Sequence, residues 1–202
     1  MMPTFLTAVL TRSDDRALQL GERIGAVALV TALTAAAAQI SIPLPFTPVP
    51  FTFQPMVVLV GAMALGARLG MMSQIAYLAL GIFGLPVFAA SPALPQGIAR
   101  LFGPTGGYLM AYPFAAYLVG TLAQRGCDRR YWTSVVAMLC GLSVVFASGV
   151  LWLGLFMPSA HGLSSALATG FSPFVIADLV KLLAAACVMP QLWKFTGSGA
   201  TR

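Results

Sequence analysis

The chain has 202 residues, of which 59% are hydrophobic and 8% charged, with a mean hydropathy of +0.90. A typical soluble domain carries about 25% charged residues, so this composition excludes an ordinary water-soluble fold and indicates an integral membrane protein. The formal net charge of +6 is scattered rather than gathered into a basic stripe. That argues against a nucleic-acid partner and for basic loops at one face of a membrane.

Residues 24–67, 69–99, 101–124 and 131–177 contain no Asp, Glu, Lys or Arg. A crossing helix needs about 20 predominantly apolar residues, so the first and last of these intervals can each hold two crossings. The apolar stretch 1–10 precedes Arg12 and Arg16, the reverse of the order in a signal peptide. Residues 1–20 therefore read as a short cytoplasmic lead-in. Helix one is expected from after Arg23 to near Ser41, helix two over 52–67 and helix three over 69–87. Helix four follows at 102–124, helix five at 132–157 and helix six at 171–193. Helix two is short for a full crossing. The transmembrane domain is then 21–195, and 196–202 form a cytoplasmic tail.

Charge placement tests this order independently. With the N-terminus inside, the cytoplasmic parts hold Arg12, Arg16, Arg23, Arg68, Arg125, Arg129, Arg130, Lys194 and Arg202, whereas the outer loops hold Arg100 alone. Inverting the chain or deleting a helix destroys this asymmetry. The expected fold class is therefore an all-α, six-transmembrane-helix bundle with both termini cytoplasmic.

Two outer connections stand out. Between Ile42 and Gln54 the chain reads IPLPFTPVPFTFQ, followed by Pro55. Proline fixes φ and donates no backbone hydrogen bond, so this segment is expected to be stiff, extended and apolar. It reads either as a cap over a pocket or as a rigid connector at the membrane surface. The second connection runs from Gly84 to Tyr108 and ends in GPTGGY. Its paired glycines, Gly106 and Gly107, permit close backbone approach to a ligand or to a neighbouring helix.

Helix six carries Asp178 and Lys181 within an otherwise apolar run. Each costs about 2.5–3.5 kcal/mol at a helix centre on insertion scales. The eight Val, Ile, Leu and Met residues between 175 and 189 return only about 0.3–0.6 kcal/mol each. Three residues apart, the two groups share one helical face and point into the bundle. One reading is a self-neutralising structural pair. The other is a ligand site open to the outside, since helix six begins on that side and Asp178 lies about two turns in. A buried pair gains little over apolar replacements, which favours the site.

Arg100 reads either as an anion contact at the pocket mouth or as a solvated loop residue. His161 has no Cys, His or carboxylate at metal-ligand spacing and reads as a loop residue. Tyr77, Tyr108, Tyr112 and Trp152 read as pocket walls or as packing and interface anchors. Cys127, Cys140 and Cys187 imply no disulfide framework. No phosphate-binding Gly-x-x-x-x-Gly-Lys-Ser/Thr loop, metal cluster or nucleophile–base pair is present in the sequence. Any ATP hydrolysis would have to come from another chain.

The segments IPLPFTPVPFTFQ at 42–54, GLPVF at 84–88, GPTGGYL at 103–109 and PFVIADLVK at 173–181 together resemble the BioY family. These are the biotin-specific substrate-binding (S) subunits of energy-coupling-factor (ECF) vitamin transporters. The resemblance covers nearly the whole chain in order. It implies a six-helix S-component in the bacterial cytoplasmic membrane that takes biotin from the outer side, without a cofactor or metal and without catalysis. The implied partners are an ECF transmembrane coupling subunit and ABC ATPases, which some members dispense with, and the membrane lipid.

The family's helix-six Asp-x-x-Lys motif falls on Asp178 and Lys181, and its Thr-x-Gln on Thr52 and Gln54. The remaining substrate-site residues expected from the family segments and nearby aromatics are Tyr77, Phe88, Gly107 and Tyr108. Arg100 would meet the valerate carboxylate. Biotin's ureido ring has two N–H donors and one carbonyl acceptor, which suit a carboxylate and an ammonium. After the PVF element, members often have a Gly- or Asn-containing run, whereas this chain reads Ala89-Ala90-Ser91-Pro92, so a polar contact from that loop would fall to Ser91. S subunits typically dock through an Ala-x-x-x-Ala pattern, which Ala28, Ala32 and Ala36 on helix one match; generic packing within the bundle is the other reading. A different vitamin, or a membrane-embedded enzyme using Asp178 and Lys181 as acid and base, are the alternatives.

Overall fold

The computed structural model describes residue 5 and residues 16–91, 94–156 and 162–195. It is a mostly helical membrane protein. Helix α1 (Arg16–Gln39) leads through a two-stranded ribbon, β1 (Ser41–Ile42) and β2 (Phe51–Thr52), into α2 (Gln54–Leu65) and α3 (Ala67–Ile82). A 3-10 turn (Gly97–Arg100) precedes α4 (Gly106–Ala123) and α5 (Tyr131–Phe156). The chain finishes with α6 (Leu163–Gly170), α7 (Ser172–Ala185) and α8 (Val188–Phe195).

Among the described residues, three helical stretches are long and apolar enough to cross a membrane: Ala17–Gln39, Tyr131–Leu155 and Ser172–Phe195. Helices α2, with 12 residues, and α3, with 16, fall below the usual crossing length. They are nevertheless central. Val58, Leu59, Ala62 and Met63 of α2 are fully buried, in one core with Ala115, Ala116 and Val119 of α4 and Met138 of α5. Their apolarity is satisfied by neighbouring helices, which relaxes the need to match the bilayer.

Three expectations need correction. Helix α1 starts at Arg16 rather than after Arg23, so Glu22 and Arg23 belong to its body. Helix six is two helices, α7 and α8, with a turn at Ala186 and Cys187. The cause is Pro190, which cannot donate to the carbonyl of Ala186 and whose ring crowds it. The connection before α7, expected as a loop, contains α6, whose Ala166 and Gly170 are buried one turn apart on a single face. His161 lies outside the described residues.

Most buried polar groups along the α1–α3 seam are paired, the Gln74 Oε1 being without a partner among the described residues. The Thr31 hydroxyl lies 2.8 Å from the Val27 carbonyl and 2.9 Å from that of Ser73. The Ser73 hydroxyl donates to the Gly70 carbonyl at 2.7 Å, and the Gln74 amide donates to the Ser73 oxygen at 3.1 Å. In an apolar surrounding such groups must be satisfied inside the protein. They hold α1 by its inner face, leaving Ile24, Leu29 and Leu33 exposed at 60, 60 and 48%.

Two glycines set close approaches. Gly66 links α2 to α3 at φ +82°, a region that L side chains rarely occupy. Gly120 of α4 passes directly over that turn, where a Cβ would collide with the backbone of Gly66 and Ala67. Together they bring α4 against the α2–α3 pair.

Candidate functional site

A cavity of about 60 Å³ lies among the β ribbon, the 3-10 turn and helices α2, α4, α5 and α7. The proline-rich segment forms its cap. Ser41 pairs with Thr52 and Ile42 with Phe51 in antiparallel register. Between them the chain turns, with the Thr47 amide donating to the Leu44 carbonyl at 3.4 Å and the Val49 amide to the Thr47 hydroxyl at 3.2 Å. Val49, Pro50 and Thr52 thereby line the cavity. The proline segment is a cap, not merely a connector.

Asp178 is on the cavity wall and 5% exposed. It forms an ion pair with Lys181 one turn on. Lys181 is absent from the lining and stands behind Asp178. Its ammonium donates to the Thr52 carbonyl at 2.7 Å and sits 3.8 Å from the centre of the Phe51 ring, a cation–π arrangement. The motif therefore does two jobs in this conformation: Asp178 presents a carboxylate to the cavity, and Lys181 ties α7 to strand β2.

Arg100 overturns the solvated-loop reading. It ends the 3-10 turn and is 1% exposed. One terminal nitrogen donates to the Ala89 carbonyl at 2.7 Å and the other to the Pro95 carbonyl at 3.4 Å, while Nε has no hydrogen-bond partner among the described residues. Burial pulls the guanidinium below its ordinary pKa, and Tyr77 partly restores it; an arginine still remains cationic at neutral pH. The cavity thus has a carboxylate at one wall and a buried cation at another.

The other expected residues separate into lining and support. Thr52, Gln54 and Tyr108 line the cavity. Tyr77 and Phe88 do not; they form a layer behind it. The Gln54 amide donates to the Tyr77 hydroxyl at 2.7 Å, which donates to the Val87 carbonyl at 3.1 Å, and Phe88 packs edge-on against Tyr77 at 5.6 Å. Gly107 is also structural. A Cβ there would run into Trp152, with the Ser148 carbonyl 2.7 Å away, so its role is close packing of α4 on α5. Ser91 is not among the lining residues either.

Residues not picked out from sequence complete the walls: Thr105, Leu142, Phe146 and Phe174, together with Tyr112, whose role had stayed open. Thr105 stands inside the GPTGGYL segment, and its hydroxyl is buried without a partner among the described residues. Its place in that segment was the available signal. Tyr108 is fixed from three sides. Its hydroxyl donates to the Gly170 carbonyl at 2.8 Å, its ring fills the space over Gly149, and Phe146 meets it edge-on at 6.4 Å.

Ala28, Ala32 and Ala36 are all exposed on α1, so they take no part in packing among the described residues. Among those residues no group of three or more His, Cys, Asp or Glu could hold a metal.

Comparison with known proteins follows the same lines. Residues 12–198 match the model of the BioY family. A probable biotin transporter BioY of Pyrococcus horikoshii is 39% identical over 171 residues, covering 85% of this chain and 96% of that one. The biotin transporter BioY of Thermotoga maritima is 38% identical over 166 residues, covering 82% and 92%. The crystal structure of an S-component for biotin from an ECF-type ABC transporter superposes with a TM-score of 0.78 at 26% identity, covering 90% of this chain and 95% of that one. From its sequence, its fold and the shared motifs alike, this chain belongs to the BioY family.

Proposed function

We propose that this chain is the biotin-capturing S-component of an ECF-type ABC transporter, binding the vitamin from the outer side of the cytoplasmic membrane. It is a substrate-binding subunit and not an enzyme. The observation that carries the reading of the site is the cavity with Asp178 and Arg100 in its lining, walled in part by the proline-rich segment. The Asp178 carboxylate accepts from a ureido N–H. Arg100 faces the valerate carboxylate, with its Nε free of protein hydrogen bonds among the described residues. Thr105 adds a hydroxyl to the cavity lining that has no partner among the described residues.

The free volume of about 60 Å³ is far below the roughly 300–1,000 Å³ of ligand clefts. Biotin therefore displaces the cap side chains as it binds. Such a shift would loosen the contact of Lys181 with the Thr52 carbonyl and free its ammonium for the ureido oxygen.

The arrangement in the membrane is six spans with both termini cytoplasmic, α7 and α8 together forming the last. This is supported by the excess of Lys and Arg in the segments assigned to the inside. The exposed Ala28, Ala32 and Ala36 provide the face on which a coupling subunit packs, because small residues allow close helix approach. Ala32→Leu is expected to leave biotin binding intact while lowering recovery of the coupling subunit and ATPases with the tagged protein; unchanged recovery would place the docking face elsewhere.

The function is tested by purifying the protein in detergent and identifying its bound small molecule by mass spectrometry. Unmodified biotin is expected. Another vitamin in its place, or a chemically altered biotin, would overturn the reading.

A further inference from the structure

A second cavity of about 550 Å³ lies on the flank of the molecule between α5 and the α6–α7 pair. Its walls are apolar apart from Ser143, and Leu151, Leu167 and Leu179 at its rim are 49, 44 and 39% exposed. Since α5 and the α7–α8 stretch are long enough to span a membrane, this flank faces lipid.

Two residues, Leu142 and Phe146, line both this groove and the ligand cavity. They stand one turn apart on α5 and so form a single wall. Phe146 is the larger part of it. On the cavity side its ring meets Tyr108 edge-on at 6.4 Å, and on the groove side it meets Phe171 at 5.1 Å. One aromatic ring thus spans the partition between a small site and a larger apolar groove.

We infer that Phe146 is a specificity-determining residue, a partition that closes the ligand site against the lateral groove and so excludes ligands carrying an apolar tail. The inference rests on the biotin reading above. Removing the ring joins the two cavities, and the groove becomes available to methylenes attached to the ligand. Buried methylenes in an apolar pocket are worth roughly tenfold or more in affinity.

The test uses biotin and two neutral derivatives, its N-methylamide and its N-hexylamide. The two amides lack the carboxylate equally, so their ratio isolates the tail. In the unaltered protein the hexylamide is expected to bind no better than the methylamide. In Phe146→Ala it should bind at least about tenfold better than the methylamide, while Phe146→Leu, which keeps much of the wall, shows a smaller gain. A ratio in Phe146→Ala equal to that of the unaltered protein, with biotin still bound, overturns the inference. If Phe146→Ala loses biotin, the same ratio is read in Leu142→Ala, which opens the other half of the wall, and an unchanged ratio there overturns the inference. Failure of the unaltered protein to bind biotin would instead refute the functional reading itself.

Discussion

Replacing Asp178 by Asn probes the charged pair most directly. The two side chains are 7 and 9% exposed, so the substitution leaves the Lys181 ammonium in an apolar setting beside a neutral amide. Breaking a buried pair by removing one partner costs about 3–5 kcal/mol. The Phe51 ring and the Thr52 carbonyl remain as partners of Lys181, so the lower end of that range is expected. Binding suffers separately. A hydrogen bond to a charged group contributes about 1.5–3 kcal/mol, so the Kd for biotin should rise about 10- to 150-fold. Calorimetry on detergent-solubilised protein measures the second effect, and thermal unfolding the first. The double variant Asp178→Leu/Lys181→Met distinguishes the roles, because replacing a buried pair by apolar groups of similar volume is often neutral for stability. It should regain most of the lost stability and none of the lost affinity. Near-native affinity in either variant would refute the assignment of Asp178 to the ligand and reduce the pair to a structural clamp.

Three further outcomes follow from the geometry. Arg100→Met should remove most of the preference for biotin over its neutral methylamide, a preference of about 10- to 150-fold if the guanidinium meets the carboxylate; equal affinities in the unaltered protein would exclude that role. Gly107→Ala should lower stability by about 1–3 kcal/mol through overpacking against Trp152 and Ser148, visible as a lowered Tm, whereas an unchanged Tm would mean that α4 and α5 can separate there. Asp128, in the α4–α5 connection, is 1% exposed, and burial raises its pKa although the Trp193 indole donates to it at 2.6 Å. A carboxyl raised in the folded state makes stability fall as pH climbs from its unfolded value of about 3.9 to its folded one. Asp128→Asn keeps an oxygen for Trp193 and should flatten that slope; an identical pH profile would show that Asp128 does not titrate with folding.

The membrane class, the position of most helices and the burial of an ionisable pair at Asp178 were legible in the sequence, because each is a property of a local segment. Charge-free intervals report transfer energy residue by residue, and an ionisable pair in an apolar run is conspicuous without any partner in view. The break between α7 and α8 was also local: Pro190 marks it, although the apolar pattern continues through the turn. Other roles depended on residues far away in the chain. Arg100 looked like a loop charge until Ala89 and Pro95 supplied carbonyls around it. Gly107 fitted a ligand contact equally well until Trp152 occupied the space beside it.

Lys181 shows the division most clearly. Its spacing from Asp178 placed both on one helical face, but no periodicity could reveal that strand β2, 129 residues earlier, would take its ammonium. The sequence by itself determined which chemical groups must be buried, since their free energies of transfer belong to each residue. Only the tertiary structure decided which of them lines the cavity and which is spent on holding strand β2, because that depends on which carbonyls and rings converge from distant segments.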